Sequence, residues 1–264
     1  MLSQTANLTG MSTNFLFNIQ SGYLKGFEAY RAFGLQDTCA IGEDNYLWEG
    51  RVKYIYPTTN ETMYINSTSE LDLGDVKIFG LYEDTNGDWI EKTIRITLDG
   101  TTLVTSPEMG FIRIFYIEYL SSDKSDNVGI ISLYNSNVTT DITTLKAQIS
   151  VGKNKSTMAQ YTIPSNKVGF IYRLYRSTRK NQDADFSYQV RPFGSGFRTI
   201  GVASSFQSSA QEDVSFEPIP PKTDLQILVT TENNNTEARG SFHLITVNFE
   251  HLELNRIENF SVDI

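Results

Sequence analysis

The sequence predicts an all-β protein of two antiparallel, jelly-roll-like β-sandwich domains, with an extended N-terminal arm and a C-terminal tail. Three observations predict it. Short segments alternate apolar with polar residues and are rich in β-branched and aromatic side chains. Clusters of Gly, Pro and Asn punctuate them at regular spacing. No region sustains apolar residues at helical spacing, so little helix is expected.

Residues 1–45 read as the arm or linker. The first 22 are polar except for Phe15-Leu16-Phe17, and both ordering against a partner and disorder stay open. Domain one spans 46–152. Its clearest strand is Ile90–Leu98, with Ile90, Ile94, Ile96 and Leu98 on one face, charged or hydroxyl residues on the other, and Lys92 laying its stem along the core edge. That pattern predicts a core on one side only. Val76–Glu83 precedes it, and Asp84-Thr85-Asn86-Gly87-Asp88 contains the Asn-Gly pair of tight hairpins, because both residues accept positive φ. Asp99-Gly100 signals a second turn into Thr101–Thr105. Phe111–Leu120 is apolar on both faces, as in a central strand packed on each side. Val128–Tyr134 and Thr143–Val151 complete the domain.

Domain two spans 153–249, with strands expected at Thr157–Ile163, Val168–Arg176, Ala184–Arg191, Phe197–Ala203, Val214–Glu217, Leu225–Thr231 and Ser241–Phe249. Turns fall at Pro164–Lys167, Pro192–Gly196, Pro218–Pro221 and Asn233–Asn235. In the tail, 250–264, the spacing of Leu252, Leu254, Ile257 and Phe260 suits a short amphipathic segment or an extended docking strand.

The chain has 264 residues, 39% apolar and 20% charged, with 16 Phe and 14 Tyr. That is material for one or two cores and excludes disorder of the whole. The net charge of −9 offers no uniform positive field for nucleic acid or an anionic membrane, and neither is expected as a partner. Cys39 is the sole cysteine; it permits no internal disulfide or thiolate cluster and reads as a buried, inert thiol made in a reducing cytoplasm. The first twenty residues lack a basic start followed by an apolar stretch, and no apolar run reaches bilayer length, so neither secretion nor membrane insertion is expected. Triplets such as Asn60-Glu61-Thr62, Asn66-Ser67-Thr68 and Asn154-Lys155-Ser156 are discounted as glycosylation sites on that ground.

Catalytic machinery is sparse. His243 and His251 are the only histidines, and His243 sits in a strand as a structural residue would. Neither a Gly-x-Ser-x-Gly elbow nor a phosphate-cradling Gly-Lys-Ser/Thr loop occurs. Asp84–Asp88 departs from a calcium loop, with glycine at the fourth position instead of the sixth and Arg95 at the twelfth. Asp183 with Asp185, or Glu212 with Asp213, are carboxylate pairs of the kind that hydrolyse sugars, although adjacent loop acids usually serve as solvated charges. Phe170-Ile171-Tyr172-Arg173-Leu174-Tyr175 suits a core or subunit contact better than a stacking platform. Arg176-Ser177-Thr178-Arg179-Lys180 is the one basic docking patch. No catalytic residue, metal or cofactor is expected, and the chain reads as a non-enzyme.

Several strings resemble a family of virion structural proteins of tailed bacteriophages, common in marine phages. They are Leu47-Trp48-Glu49-Gly50, Tyr56-Pro57, Leu98-Asp99-Gly100-Thr101-Thr102 with Val104-Thr105, and Tyr161-Thr162-Ile163-Pro164 with Lys167 and Gly169. Then come Asp183-Ala184-Asp185, Val190-Arg191-Pro192-Phe193-Gly194, Phe197-Arg198-Thr199, Lys222-Thr223-Asp224-Leu225 and Asn234-Asn235-Thr236-Glu237. They span roughly residues 45–247 in shared order. The resemblance implies a non-enzymatic, β-rich part of the phage particle, made in the host bacterial cytoplasm. The expected role is an auxiliary capsid or head-decoration protein, a homo-oligomer, taken as a trimer, bound to the major capsid or other virion proteins. The alternative is a receptor- or glycan-binding module of a fibre, tail or collar. Candidate interface residues are Phe15, Phe17, Arg176, Arg179, Arg191 and Phe193, and Arg191 is expected to pair with Asp183 or Asp185 across a hairpin or a subunit boundary.

Overall fold

The computed structural model describes residues 13–107, 110–121, 125–179, 182–205, 210–213 and 218–252. The strands are β1 (Phe27–Cys39), β2 (Asn45–Tyr46), β3 (Tyr64–Ser67), β4 (Asp75–Glu83), β5 (Trp89–Thr97), β6 (Val104–Thr105), β7 (Arg113–Leu120), β8 (Ile131–Tyr134) and β9 (Leu145–Ile149). They continue as β10 (Gln160–Thr162), β11 (Lys167–Thr178), β12 (Ala184–Pro192), β13 (Arg198–Ser205), β14 (Ala210–Asp213), β15 (Pro218–Ile219), β16 (Thr223–Thr231) and β17 (Thr236–Asn248). One helix, α1 (Thr13–Gln20), precedes them. The all-β expectation holds, and all the strand pairings in the sheets are antiparallel.

Four sheets form. One runs β1-β17-β11-β14 with β15 beside β11, and a second runs β10-β16-β12-β13 with β2 beside β16. Together they make a base sandwich. A third sheet, β6-β3-β8-β9, faces a fourth, β5-β4-β7, to make another. The order of the chain differs from the expectation of an arm over 1–45 followed by domains at 46–152 and 153–249. Phe27–Cys39 is not arm but a 13-residue strand paired with β17 from Phe27↔Val247 to Cys39↔Thr236. The base sandwich therefore takes β1 and β2 from one side of the chain and β10–β17 from the other. The second sandwich is inserted between β2 and β10. At its neck the Ala159 N–H donates to the Leu47 carbonyl (2.9 Å), and Met158 bridges to Phe33 and Trp48. A Cβ on Gly34 would stand 2.0 Å from the Leu47 carbonyl oxygen, so glycine is what lets β1 pass under the neck.

Two cores share one sheet. Val76, Ile78, Ile94, Ile96, Ile114 and Ile117 pack with Ile65, Ile131, Leu133 and Ile149 inside the inserted sandwich. Leu81, Trp89, Ile112 and Phe115 turn the other way, into the base core with Tyr161, Phe186 and Phe242. A bulge where Phe79 opposes Tyr116 and Gly80 opposes Ile114 leaves Phe115 as the extra residue and re-aims it. The apolar doubling of Phe111–Leu120 is thus real, although β4, not β7, is central in its sheet. The one-sided reading of Ile90–Leu98 needs correction. Ile90 is 42% exposed while Trp89 is buried, because the start of β5 lies beyond the inserted core and against the base.

The Asp84–Asp88 hairpin forms as expected. The Asp84 carboxylate accepts the N–H groups of Asn86 (2.9 Å) and Asp88 (2.8 Å), and Gly87 takes φ 82°. A third core patch lies on the outer face of the first sheet, where Ile19, Tyr172, Ile245 and Val247 are buried beside Phe15, Phe27 and Leu252. The expected strand Val214–Glu217, residues 1–12 of the arm and Leu254, Ile257 and Phe260 of the tail lie outside the described residues.

Candidate functional site

The densest polar arrangement sits where the two sandwiches meet, on the middle strand of the second sheet. Asp224 stands directly opposite Arg191 on β12 and Thr162 on β10, so the sheet register alone places a cation and a hydroxyl on either side of it. Arg191 donates from Nε (3.0 Å) and Nη2 (2.6 Å) to Asp224 Oδ2, and the Thr162 hydroxyl donates to Oδ1 (2.6 Å). Arg113, from the start of β7 in the inserted sandwich, closes on the same carboxylate from Nε (2.6 Å) and Nη2 (3.0 Å). Its Nη1 donates to the carbonyls of Pro57 and Ile112, both at 2.6 Å.

Asp224 is fully buried and Arg113 is 2% exposed. Burial on that scale is tolerable only because every charged edge is hydrogen-bonded. Two guanidinium groups against one carboxylate leave an excess positive charge, and rings face it. Tyr56 lies 4.4 Å from the Arg191 guanidinium and 5.2 Å from that of Arg113, Phe197 lies 4.6 Å from Arg191, and Trp89 lies 4.7 Å from Arg113. Burial holds the Tyr56 hydroxyl well above its ordinary pKa, so it stays protonated and donates to Gln226 (3.2 Å). The groups are spent on one another, and what the cluster does chemically is lock two layers together.

A second node ties the first sheet to the fourth. The buried Lys167 donates to Glu28 (2.6 Å) and Glu91 (2.8 Å), and the Tyr161 hydroxyl donates to Glu91 (3.2 Å). Tyr161 is stacked between Tyr30 and Phe115 at 4.2 and 4.3 Å. Beside them opens a cleft of about 340 Å³ walled by Ile19, Phe27, Tyr30, Phe79 and Tyr161.

The six expected interface residues are not brought together. Arg176 is 6% exposed and donates to the Ser204 carbonyl (3.0 Å), so it faces into the protein. Arg179 is exposed and pairs with Glu237 (3.1 Å); Lys180 lies outside the described residues. Phe15 packs edge-on against Phe27 (6.3 Å), while Phe17 is 68% exposed. Phe193 is half-exposed and sets its ring edge-to-face on Trp89 (4.7 Å).

Within the chain, the expected pairing of Arg191 with Asp183 or Asp185 is corrected to Asp224. Asp185 and Arg191 lie toward opposite ends of the single strand β12, roughly 20 Å apart at strand rise. Asp185 instead accepts the Ser204 hydroxyl (2.5 Å). The side chains of Glu212 and Asp213 lie outside the described residues. Tyr172 is buried, with its hydroxyl 3.4 Å from His243 Nδ1, so that stretch supplies core. Burial first, then Arg31 and Arg173, push His243 down to about 4, and burial pushes the Cys39 thiol up to about 12. Among the described residues no group of three His, Cys, Asp or Glu side chains is arranged to hold a metal.

Arg113 and Asp224 escaped the sequence reading as a pair. The available signal was a lone arginine between apolar neighbours in Phe111-Ile112-Arg113-Ile114-Phe115 and an aspartate opening the largely apolar strand Leu225-Gln226-Ile227-Leu228-Val229, each a charge that needs a buried partner.

No family model matches the chain, and no curated protein matches it. Among solved structures it is similar to that of the Gt strain of infectious bursal disease virus, at 9% identity and a TM-score of 0.26, covering 87% of this chain and 74% of that one. The VP2 subviral particle of the same virus matches at 7% identity and a TM-score of 0.22, with 86% and 73% covered. Superpositions this loose carry no argument, and the fold rests on the strand pairing described above.

Proposed function

We propose that the chain is a non-enzymatic structural component of a bacteriophage virion, an auxiliary capsid or head-decoration protein that binds the major capsid protein. The observation that carries this reading is a convergence in space. Tyr56, Thr162, Arg191, Phe197 and Asp224 come from separate strings that resemble the phage family, and they meet in one buried cluster. Tyr161 and Lys167, from the string that also supplies Thr162, build the second node. Both nodes are built from ion pairs, hydrogen bonds and ring contacts that fix one sandwich on the other. A part whose work is adhesion needs that rigidity, because surfaces preorganised for contact lose less freedom on binding.

Cryo-electron microscopy of purified virions tests the assignment: the chain's density is expected on the head surface, and its absence from the particle overturns it. The homo-oligomer, taken as a trimer, is tested by sedimentation equilibrium, where a monomer at high concentration removes it.

A further inference from the structure

The loop between β3 and β4 reverses the usual sorting of side chains. In Leu71-Asp72-Leu73 the leucines are 74% and 61% exposed, whereas the aspartate between them is 1% exposed. Asp72 is anchored: its carboxylate accepts the N–H groups of Val128 and Gly129, both at 2.8 Å, and the Ser67 hydroxyl at 2.5 Å, while its carbonyl accepts the Gly100 N–H (3.2 Å). The anchor holds the leucines outward on a fixed loop, so their exposure is not fraying.

Val128, Ile130 and Val151, exposed by 53%, 36% and 56%, lie at the same end of the inserted sandwich. There Ser67, Ile131 and Ile149 are register partners in one sheet and Asp75, Thr97 and Leu120 in the other. The other end carries the hairpin whose Gly87 carbonyl receives Lys222 of the base (2.7 Å). The apolar crown therefore sits at the end turned away from that contact.

We infer that this crown is the docking tip of the protein and seats in an apolar depression with a basic rim on the capsid shell protein, an inference that rests on the function proposed above. The occupant follows from area and charge. Five partly exposed aliphatic side chains present apolar surface on the order of 400 Å², within the range of functional patches and about half of what each partner of a self-standing interface contributes. Among the described residues, the chain segments at this end carry Glu70, Asp75, Asp99 and Asp126 against Lys153. Two crowns brought face to face would juxtapose acidic rims, and an anionic bilayer would repel them. A basic-rimmed socket satisfies both the apolar centre and the rim.

The test uses empty shells assembled from the virus's own major capsid protein and the full chain, read by co-sedimentation. Leu71→Ser with Leu73→Ser is expected to weaken binding at least about tenfold with an unchanged melting temperature, and Ile200→Ser with Val202→Ser, exposed on β13, to leave it unchanged. Wild-type chain that ignores the shells overturns the function and the docking tip together. Wild type and leucine variant that bind equally overturn the tip alone. An oligomer of the free chain that the leucine substitutions dissolve assigns the crown to a second copy. Binding to phosphatidylcholine–phosphatidylglycerol vesicles assigns it to a bilayer; either result overturns the proposal.

Discussion

Asp224 neutralises two cations at once, so its charge matters more than its shape. Asp224→Asn keeps the volume and leaves Arg113 buried without a counter-ion, and a loss of about 3–5 kcal/mol is expected in urea denaturation. Arg191→Met, at a residue 23% exposed on its side chain, is expected to cost less, about 1–2 kcal/mol, because water already reaches that pair. His243 sets an acid limb. Its folded pKa lies below the unfolded value, so its contribution is complete above about 6.5 and is lost as pH falls toward about 4. Discounted for partial exposure, that loss is about 1–2 kcal/mol. Glu49, raised by burial to about 6, works with the opposite sign, since protonation relieves it as pH falls. The His243 share is therefore read as the difference between wild type and His243→Gln in urea midpoints at pH 7 and pH 4, and equal acid losses in the two would remove it. The Arg113–Asp224 pair was not legible beforehand: the two are 111 positions apart, and only the fold makes them neighbours.

Legibility among the elements follows the size of the inward side chains. β7, β12 and β16 announce themselves because large residues point both ways or alternate strictly. β1 does not: the residues it turns inward include Tyr30, Ala32, Gly34 and Gln36, two of them too small and one too polar to register as an apolar face. Small residues are there because the neck of the insertion crosses β1. Gly34→Ala is accordingly expected to cost about 3 kcal/mol or more, since backbone and not a movable side-chain tip blocks the new methyl. Gly194→Ala, at φ 82° in open space, is expected to cost only about 1 kcal/mol. Urea midpoints of the two variants give the comparison, and similar losses would contradict the crossing. β2, β6 and β15 are two residues each, too short for any periodicity to report.

At the scale of the whole molecule, the shared sheet couples the sandwiches. With Leu81, Trp89, Ile112 and Phe115 in one core and Ile78, Ile94 and Ile117 in the other, neither core survives loss of the middle layer. One calorimetric transition is expected for the full chain. Residues 153–249, which the sequence offered as a domain, are expected to show none in isolation, because without β1 the long edge of β17 is bare. A cooperative transition in that fragment would contradict the interleaving. The turns, strand spacing and all-β character were readable because they are local; the insertion was not, because hydrophobic alternation carries no record of which strand a strand will join. The same pairing has a mechanical side. β1 begins and β17 ends at one point, where Phe27 faces Val247 and the Asn248 N–H holds the Gly26 carbonyl (2.9 Å). Tension applied there peels the ladder apart one rung at a time, like a zip opened from its tab, instead of shearing many rungs together. Strain imposed on the protein through these two strand ends is therefore met at its weakest seam.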